Sequence, residues 1–209
     1  MNVLRKLGIC TIFIALVSSS VGAETRIYGA LASNYVFRGY SLSNDAASAS
    51  VGLDWQHPTG VYLGSNVTSV KKGVEWDAYA GYTHRFGLFA LDFGGSTYEY
   101  SDEHYIDGDF RELYVGGQAG PVALTVYRGR SPFGLRYWYG QLDAGVPAGP
   151  VTVELHYGVT DYGAERMNDE YVGVARRWRG LDWRLRFTHN EDQGTRYVAA
   201  VSKSWSLGR

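Results

Sequence analysis

Val151 to Thr160 read Val-Thr-Val-Glu-Leu-His-Tyr-Gly-Val-Thr, and this stretch decides the fold class. Its odd positions are all apolar, whereas its even positions are polar or glycine. Because successive side chains of a β-strand point to opposite faces, this period of two predicts a strand with one apolar and one polar face. In a water-soluble sandwich the apolar face would pack on a second sheet. In a membrane barrel it would face lipid, and the polar face would line an aqueous lumen.

The same alternation recurs along the chain and predicts twelve strands. The first is expected from Arg26 to Phe37, and the connections are expected to alternate between tight turns near residues 58, 87, 120, 148 and 179 and longer polar loops, one of them from Ser69 to Gly73. Strands of ~9–11 residues suit a tilted membrane crossing, and short turns at one end with longer loops at the other are typical of bacterial outer-membrane barrels. The sequence therefore predicts an all-β, antiparallel up-and-down transmembrane β-barrel of about 12 strands.

The N-terminus has the pattern of a secretory signal peptide. Arg5 and Lys6 precede an apolar run from Leu7 to Val17 and the small residues Val21-Gly22-Ala23. We expect a signal peptide at residues 1–23 and one barrel domain at residues 24–209. Lipoprotein processing at Cys10, the single cysteine, would leave almost no apolar region. The mature chain is thus expected to contain no disulfide and no cysteine metal site.

Composition supports many short strands over a helical domain, because the chain has 27 Gly and 17 Tyr but only two Met. Without Arg5 and Lys6 the mature chain keeps 18 basic and 21 acidic residues, and no basic block is present. Nucleic-acid binding is therefore disfavoured. No later run of 18 apolar residues predicts a spanning helix.

Aromatic residues are sorted to the predicted strand ends, which indicates two girdles at the membrane interfaces. One set lies beside the tight turns: Trp55, Phe86, Phe89, Trp178, Trp183 and Trp205. The other set lies beside the longer loops: Tyr35, Phe37, Trp76, Tyr98, Tyr100 and Trp138.

The polar faces carry many charges that would be costly to bury unpaired, so we expect them to line a wet lumen. The candidate lumen-lining residues are Asp54, Glu75, Asp77, Asp92, Glu112, Glu154, His156, Asp182, Arg184, Arg186 and Arg196. Small residues on the same faces are expected to leave space for solute: Ala30, Ala32, Ser48, Ser50, Gly52, Gly64, Gly94, Gly116, Gly158 and Gly173.

One stretch resembles a known family. Ser33-Asn34-Tyr35-Val36-Phe37-Arg38-Gly39-Tyr40-Ser41 is similar to the N-terminal signature of the TorF family of proteobacterial porins, with Tyr35, Phe37, Arg38 and Gly39 as its most specific residues. The resemblance implies an outer-membrane barrel of porin type. One departure is the C-terminus, where Trp205 is followed by four residues, whereas such barrels commonly finish on an aromatic residue that the assembly machinery reads.

Together these features predict a porin-like channel for passive diffusion of small solutes or ions, with no enzymatic activity, cofactor or metal. We expect it in the outer membrane of a Gram-negative bacterium after export through the periplasm. Its expected partners are outer-membrane lipid, lipopolysaccharide and the barrel assembly machinery. The sequence does not determine the oligomeric state.

Two alternatives remain open. A lipid-modifying hydrolase or acyltransferase would use His156 on the polar face or His189 on the apolar face, although no Gly-x-Ser-x-Gly or His-Glu-x-x-His motif is present. The other is a closed barrel with a structural or adhesive role. His57, His84 and His104 have no metal-ligand spacing. The acidic loop with Asp102, Glu103, Asp107 and Asp109 could bind divalent cations or lipopolysaccharide bridged by them.

Overall fold

The structure is a computed structural model that describes residues 22–101, 110–130 and 134–207. These ranges contain fourteen β-strands. They contain no helix long and apolar enough to span a membrane. The predicted signal peptide lies almost entirely outside the described residues. All four acidic residues of the loop at 102–109 also lie outside them.

The strands are β1 Glu24–Ala32, β2 Val36–Phe37, β3 Tyr40–Ser41, β4 Ser48–Gln56, β5 Val61–Val70, β6 Gly73–Phe86, β7 Phe89–Tyr100, β8 Phe110–Ala119, β9 Val122–Arg130, β10 Arg136–Ala148, β11 Val151–Asp161, β12 Arg166–Trp178, β13 Leu181–Asn190 and β14 Gly194–Leu207.

Twelve of these strands, β1 and β4 to β14, form a closed barrel in which every strand is antiparallel to both neighbours. β1 closes the ring by pairing with β4 on one side and with β14 on the other, where Ile27 lies opposite Trp205. Closure leaves no open sheet edge, as a strand protein in lipid requires. The predicted fold class and strand number are confirmed.

The stretch from Val151 to Thr160 forms β11 and shows how the alternation is used. Leu155 and Tyr157 are 46% and 47% exposed on the outside, whereas Glu154 and His156 are 1% and 9% exposed on the inside. Leu, Val and Phe side chains are likewise exposed around the other strands. A soluble protein rarely exposes so much contiguous apolar surface, so this belt is the lipid-facing surface of a transmembrane barrel.

Most of the aromatic residues predicted for the girdles do lie exposed on the outer surface. They are Trp76, Phe86, Phe89, Trp138, Trp178, Trp183 and Trp205, while Trp55 is half-buried. The prediction is wrong for Tyr35, Phe37, Tyr98 and Tyr100. Tyr35 and Tyr98 are buried inside the barrel, where Phe37 packs on Tyr98 with ring centroids 5.6 Å apart, and Tyr100 contacts the buried Glu75. Tyr98 and Tyr100 do lie at the end of β7, but on its inner face, whereas Tyr35 and Phe37 lie in the segment that follows β1.

Two predicted boundaries are also wrong. β1 ends at Ala32 and not at Phe37, because the chain then leaves the barrel wall and turns inward. The expected longer loop from Ser69 to Gly73 is a two-residue turn, since β5 runs to Val70 and β6 begins at Gly73. The longer-loop end of the barrel therefore mixes short and long connections.

The inward-facing glycines do not leave empty space, contrary to the sequence-based expectation. A Cβ at Gly52, Gly64 or Gly94 would lie 2.3 to 2.4 Å from the ring or hydroxyl of a tyrosine on the adjacent strand. These tyrosines are Tyr28, Tyr79 and Tyr114, each directly opposite its glycine in the strand register. Each of these glycines thus makes room for the tyrosine ring of the adjacent strand, and the three rings narrow the lumen.

This packing gives a first expected result. Gly64→Ala should lower the free energy of unfolding by about 1–3 kcal/mol, because the new methyl group would displace the Tyr79 ring and its hydrogen bond to Asp54. The measurement is the urea midpoint of the refolded protein. Gly140→Ala is the matched control, since a Cβ there meets no atom within 4 Å. Equal midpoints for the two variants would contradict this role of Gly64.

Candidate functional site

The segment at residues 33–47 folds into the barrel, and we call it the inner hairpin. Its strands β2 and β3 pair through Val36 with Ser41 and Phe37 with Tyr40. Its base is held by Asn34, whose Oδ1 accepts hydrogen bonds from Ser41 Oγ at 2.7 Å and Ser43 Oγ at 2.9 Å. Most of the stretch that resembles the TorF signature therefore forms a structure inside the barrel and not part of its wall.

The tip of the inner hairpin is the two-residue turn Arg38-Gly39. Both residues have positive φ, +48° and +78°, as a type I′ hairpin turn requires. A Cβ at position 39 would lie 2.4 Å from the Cβ of Asn190, so only glycine fits against β13. The Asn190 amide donates a hydrogen bond to the Arg38 carbonyl at 3.3 Å. The turn chemistry and this contact together fix the position of the Arg38 side chain.

Arg38 anchors the tip to the opposite wall. Its guanidinium forms a two-pronged ion pair with Glu112 on β8, with Nη1 2.7 Å from Oε1 and Nη2 3.0 Å from Oε2. The Glu112 side chain is 0% exposed and also accepts hydrogen bonds from Tyr137 at 2.6 Å and Tyr98 at 3.1 Å. The guanidinium carbon lies 3.9 to 5.8 Å from the centroids of four aromatic rings: Tyr139, Phe37, Tyr127 and Tyr137.

Further contacts fasten the rest of the inner hairpin to the wall. Tyr35 donates a hydrogen bond to Glu75 on β6, and Tyr40 donates one to Asp192 at 2.9 Å. Arg196 Nε lies 2.5 Å from Asp45 Oδ1, and this hydrogen bond lowers the pKa of the Asp45 carboxyl below its usual value. The inner hairpin thus touches the barrel wall on several sides at the longer-loop end.

A cavity of about 390 Å³ lies between the inner hairpin and the short-turn end of the barrel. Glu24, Gln56 and Ser206 line it at the short-turn end, and Phe37 and Arg38 line it under the inner hairpin. One wall carries acidic groups only, whereas the opposite wall carries basic groups together with Asp169 of β12. Asp54, Asp77 and Asp92 come from β4, β6 and β7, and His156, Arg184 and Arg186 come from β11 and β13.

The basic groups on the β11–β13 wall each contact a carboxylate. Glu154 Oε2 lies 3.0 Å from Arg184 Nε and 3.1 Å from Arg186 Nε. His156 lies between Asp143, at 2.7 Å from Nδ1, and Asp169, at 2.8 Å from Nε2, and its ring stacks on Tyr171. The charges of this wall are therefore largely balanced locally.

The carboxylates on the opposite wall are bound by hydroxyl groups instead. Asp92 accepts hydrogen bonds from Tyr62 and Thr83, both at 2.9 Å, and Asp54 accepts one from Tyr79. Within the described residues neither carboxylate forms an ion pair. Arg26 lies directly opposite Asp54 in the register and attracts it electrostatically, but its ion pair is with Glu24, at 3.9 Å. The lumen therefore carries an excess of negative charge on the β4–β7 wall.

The predicted lumen residues fall into three groups. Six line the cavity, namely Asp54, Asp77, Asp92, His156, Arg184 and Arg186. Glu75, Glu112 and Glu154 are 1 to 3% exposed and are covered by their partners. Asp182 and Arg196 lie towards the two ends of the barrel, where Asp182 is 3.8 Å from Arg177 and Arg196 contacts the inner hairpin.

Sequence reasoning missed two buried carboxylates, Asp143 and Asp169, and the tyrosines that surround Arg38. The period of two was sufficient to find Asp143, because it lies between the outward Leu142 and Ala144. The contact between Arg38 and Glu112 had no such signal, since the two residues are 74 positions apart.

The two histidines considered for the enzyme alternative differ in their location and in their hydrogen-bond partners. His156 is buried in the lumen and hydrogen-bonds carboxylates and the Tyr139 hydroxyl. His189 bonds Thr195 Oγ1 at 3.0 Å in an exposed position. No group of three or more His, Cys, Asp or Glu suited to a metal is found in the described ranges.

Comparison with known proteins identifies the family. The model of a family described as "Bacterial protein of unknown function (Gcw_chp)" matches residues 19–204. The chain belongs to this family. No curated protein matches the sequence.

Among solved structures, this Gcw_chp member is similar to the KdgM porin, with a TM-score of 0.60, 14% identity and coverage of 88% of this chain and 99% of that one. It is also similar to the KdgM porin in complex with disordered oligogalacturonate, with a TM-score of 0.61, 14% identity and coverage of 87% and 99%. At this identity the likeness shows the fold alone, which is the barrel fold of the KdgM porin.

Proposed function

We propose that this protein is an outer-membrane channel of porin type that passes small solutes or ions and favours cations. The observation that carries the proposal is the polar cavity inside the closed barrel, in which Asp54 and Asp92 face the lumen without an ion-pair partner among the described residues. In a narrow lumen such fixed charges set the preferred sign of the permeating ion. Twelve strands enclose a narrower lumen than the 16–18 strands of larger porins, which restricts the solute to small molecules.

The porin fold supports a location in the outer membrane, reached by export through the periplasm, with lipid, lipopolysaccharide and the assembly machinery as partners. The TorF resemblance remains a prediction that agrees with this proposal. Oligogalacturonate, which appears with the KdgM porin, is a polyanion. The excess carboxylates on the β4–β7 wall disfavour a polyanion here, so we do not extend that ligand to this chain.

The inner hairpin favours one alternative, a closed barrel with a structural or adhesive role, because it occupies the longer-loop end of the lumen. Planar-bilayer recording of the mature chain, refolded in detergent, separates the two. A channel should give discrete conductance steps, and a closed barrel should give none. A folded sample without conductance would exclude the channel. The enzyme alternative predicts altered membrane lipid on overexpression, abolished by His156→Ala or His189→Ala.

Selectivity gives the second expected result. In a salt gradient the reversal potential should indicate cation preference, and Asp54→Asn combined with Asp92→Asn should move it clearly towards zero, because two of the three acidic groups on the β4–β7 wall lose their charge. Asp161→Asn is the control, since Asp161 pairs with Arg166 at 2.8 Å near the barrel rim and does not line the cavity. A double variant that keeps the wild-type potential would show that the two carboxylates do not face the ion path.

A further inference from the structure

Three arginines form a row on the outer surface of the barrel at its longer-loop end. Arg130, the last residue of β9, lies directly opposite Arg111 of β8 on one side and Arg136, the first residue of β10, on the other. All three side chains are exposed. The residues that follow Arg111 and Arg136 are buried inside the barrel, so these two arginines face outwards. Arg130 shares their face, because directly paired residues of adjacent strands lie on the same side of a sheet.

The like charges of this row repel one another. Side chains in directly opposite positions have Cβ atoms about 5 Å apart, a separation at which like charges are destabilising. Arg111 has an interaction of its own, whereas Arg130 and Arg136 form no hydrogen bond or ion pair with any residue that the structure describes. The outward acidic residue on the next strand, Asp161 of β11, already pairs with Arg166 at 2.8 Å. The pair of Arg130 and Arg136 therefore calls for a negative group from outside the described chain.

The two arginines lie at the level where the barrel meets lipid headgroups. Trp138, which is 52% exposed, lies two residues from Arg136 towards the middle of the barrel, about 7 Å along the strand. Exposed tryptophan side chains mark the membrane interface. A Cβ on Gly134 would lie 3.6 Å from Arg130 Nη2, which places this guanidinium beside the β9–β10 loop and not against the apolar belt. At this level the negative groups of a membrane are the phosphates of its lipids.

We propose that Arg130 and Arg136 bind a phosphate group of an outer-leaflet lipid, namely a phosphate of lipopolysaccharide. Guanidinium groups form paired, charge-assisted hydrogen bonds with phosphate, and two of them match the double charge of a phosphate monoester. The acyl chains of the same lipid would pack on the exposed side chains of Trp138 and Leu113. The site rests on the proposed outer-membrane location, in which the longer loops face outwards, and it does not depend on the channel.

The test is native mass spectrometry of the refolded mature chain in detergent that contains lipid A, the phosphorylated lipid part of lipopolysaccharide. EDTA is present, because arginines that contact phosphate directly need no bridging cation. We expect one lipid A per chain, and lipid A without its phosphates should be retained at least about tenfold less. Arg130→Gln combined with Arg136→Gln should weaken the retention of lipid A about tenfold or more, since both guanidinium groups are lost.

Arg176→Gln combined with Arg179→Gln is the matched control. It removes the same charge from the surface of the barrel, but at the short-turn end, where Arg176 lies opposite Trp183 and Arg179 lies over Trp178 at 4.7 Å. This control should retain lipid A as the wild type does. Both double variants should keep the wild-type fold, because the substituted side chains are all exposed.

Each of four results would overturn the site. Folded wild-type protein that retains no lipid A in EDTA would mean that the arginines bind no lipid phosphate. Unchanged retention in the Arg130 and Arg136 double variant would place the lipid elsewhere. Equal weakening in the control would indicate general attraction between positive charge and lipid A. Displacement of lipid A by an excess of inorganic phosphate would indicate an anion site that does not recognise a lipid.

Bilayer recording on the same samples separates this proposal from the channel. Conductance without retention of lipid A overturns only the lipid site. Retention of lipid A without conductance overturns only the channel.

Discussion

Arg38→Ala is expected to release the inner hairpin from the barrel wall and to raise the single-channel conductance several-fold. The substitution leaves the fully buried Glu112 carboxylate without its cation, and breaking a buried ion pair in this way costs about 3–5 kcal/mol. It also removes the contacts of the guanidinium with the four surrounding rings, of which Tyr139 is nearest at 3.9 Å. The substitution should weaken the contact between the inner hairpin and the wall and leave the barrel itself intact, because the barrel strands pair with one another without the hairpin.

Bilayer recording measures the conductance, and thermal unfolding measures the stability. Arg128→Ala is the matched control, since Arg128 also lies over an aromatic ring, that of the exposed Trp138 at 4.7 Å, and has no part in the inner hairpin. The double variant Arg38→Ala, Glu112→Ala should recover part of the stability, because no uncompensated charge remains, and should keep the higher conductance. If folded Arg38→Ala conducts like wild type, the inner hairpin does not limit the pathway.

Glu154→Gln is expected to destabilise the barrel by about 3 kcal/mol and to shift the ion preference towards anions. Glu154 is 1% exposed and bridges Arg184 and Arg186, so its neutralisation leaves two enclosed guanidinium groups without their carboxylate. Both arginines line the cavity, and their charge would then act on the permeating ion. The two effects have one cause and should appear together.

Urea unfolding and the reversal potential in a salt gradient measure these effects. Glu170→Gln on β12 is the control, because Glu170 is exposed on the outside of the barrel. This substitution should change the free energy of unfolding by no more than about 0.5 kcal/mol and the reversal potential by no more than a few millivolts. A Glu154→Gln variant with wild-type stability would mean that water in the lumen screens the two arginines. In that case the ion pairs of Glu154 with the two arginines would not be what stabilises the β11–β13 wall.

The sequence by itself determined the barrel. In Val151 to Thr160 the period of two is a local property, because adjacent side chains of any strand point to opposite faces, and the structure places Leu155 and Tyr157 outside and Glu154 and His156 inside. The turn residues and the strand length then set the strand number. The same local rule also assigned most of the outer aromatic residues, since a side chain exposed to lipid needs no specific partner.

Only the tertiary structure decided what fills the barrel. The alternation continues past Ala32 into Tyr35 and Phe37, so no local signal shows that the chain leaves the wall there; the reason lies in contacts of Arg38 with Glu112, 74 residues away. Whether Gly64 leaves a gap or is covered by the Tyr79 ring likewise depends on the register between two strands. A buried charge or ring is stable only when it contacts a suitable partner. That partner is often distant in the sequence, and the closed barrel decides which residue it is.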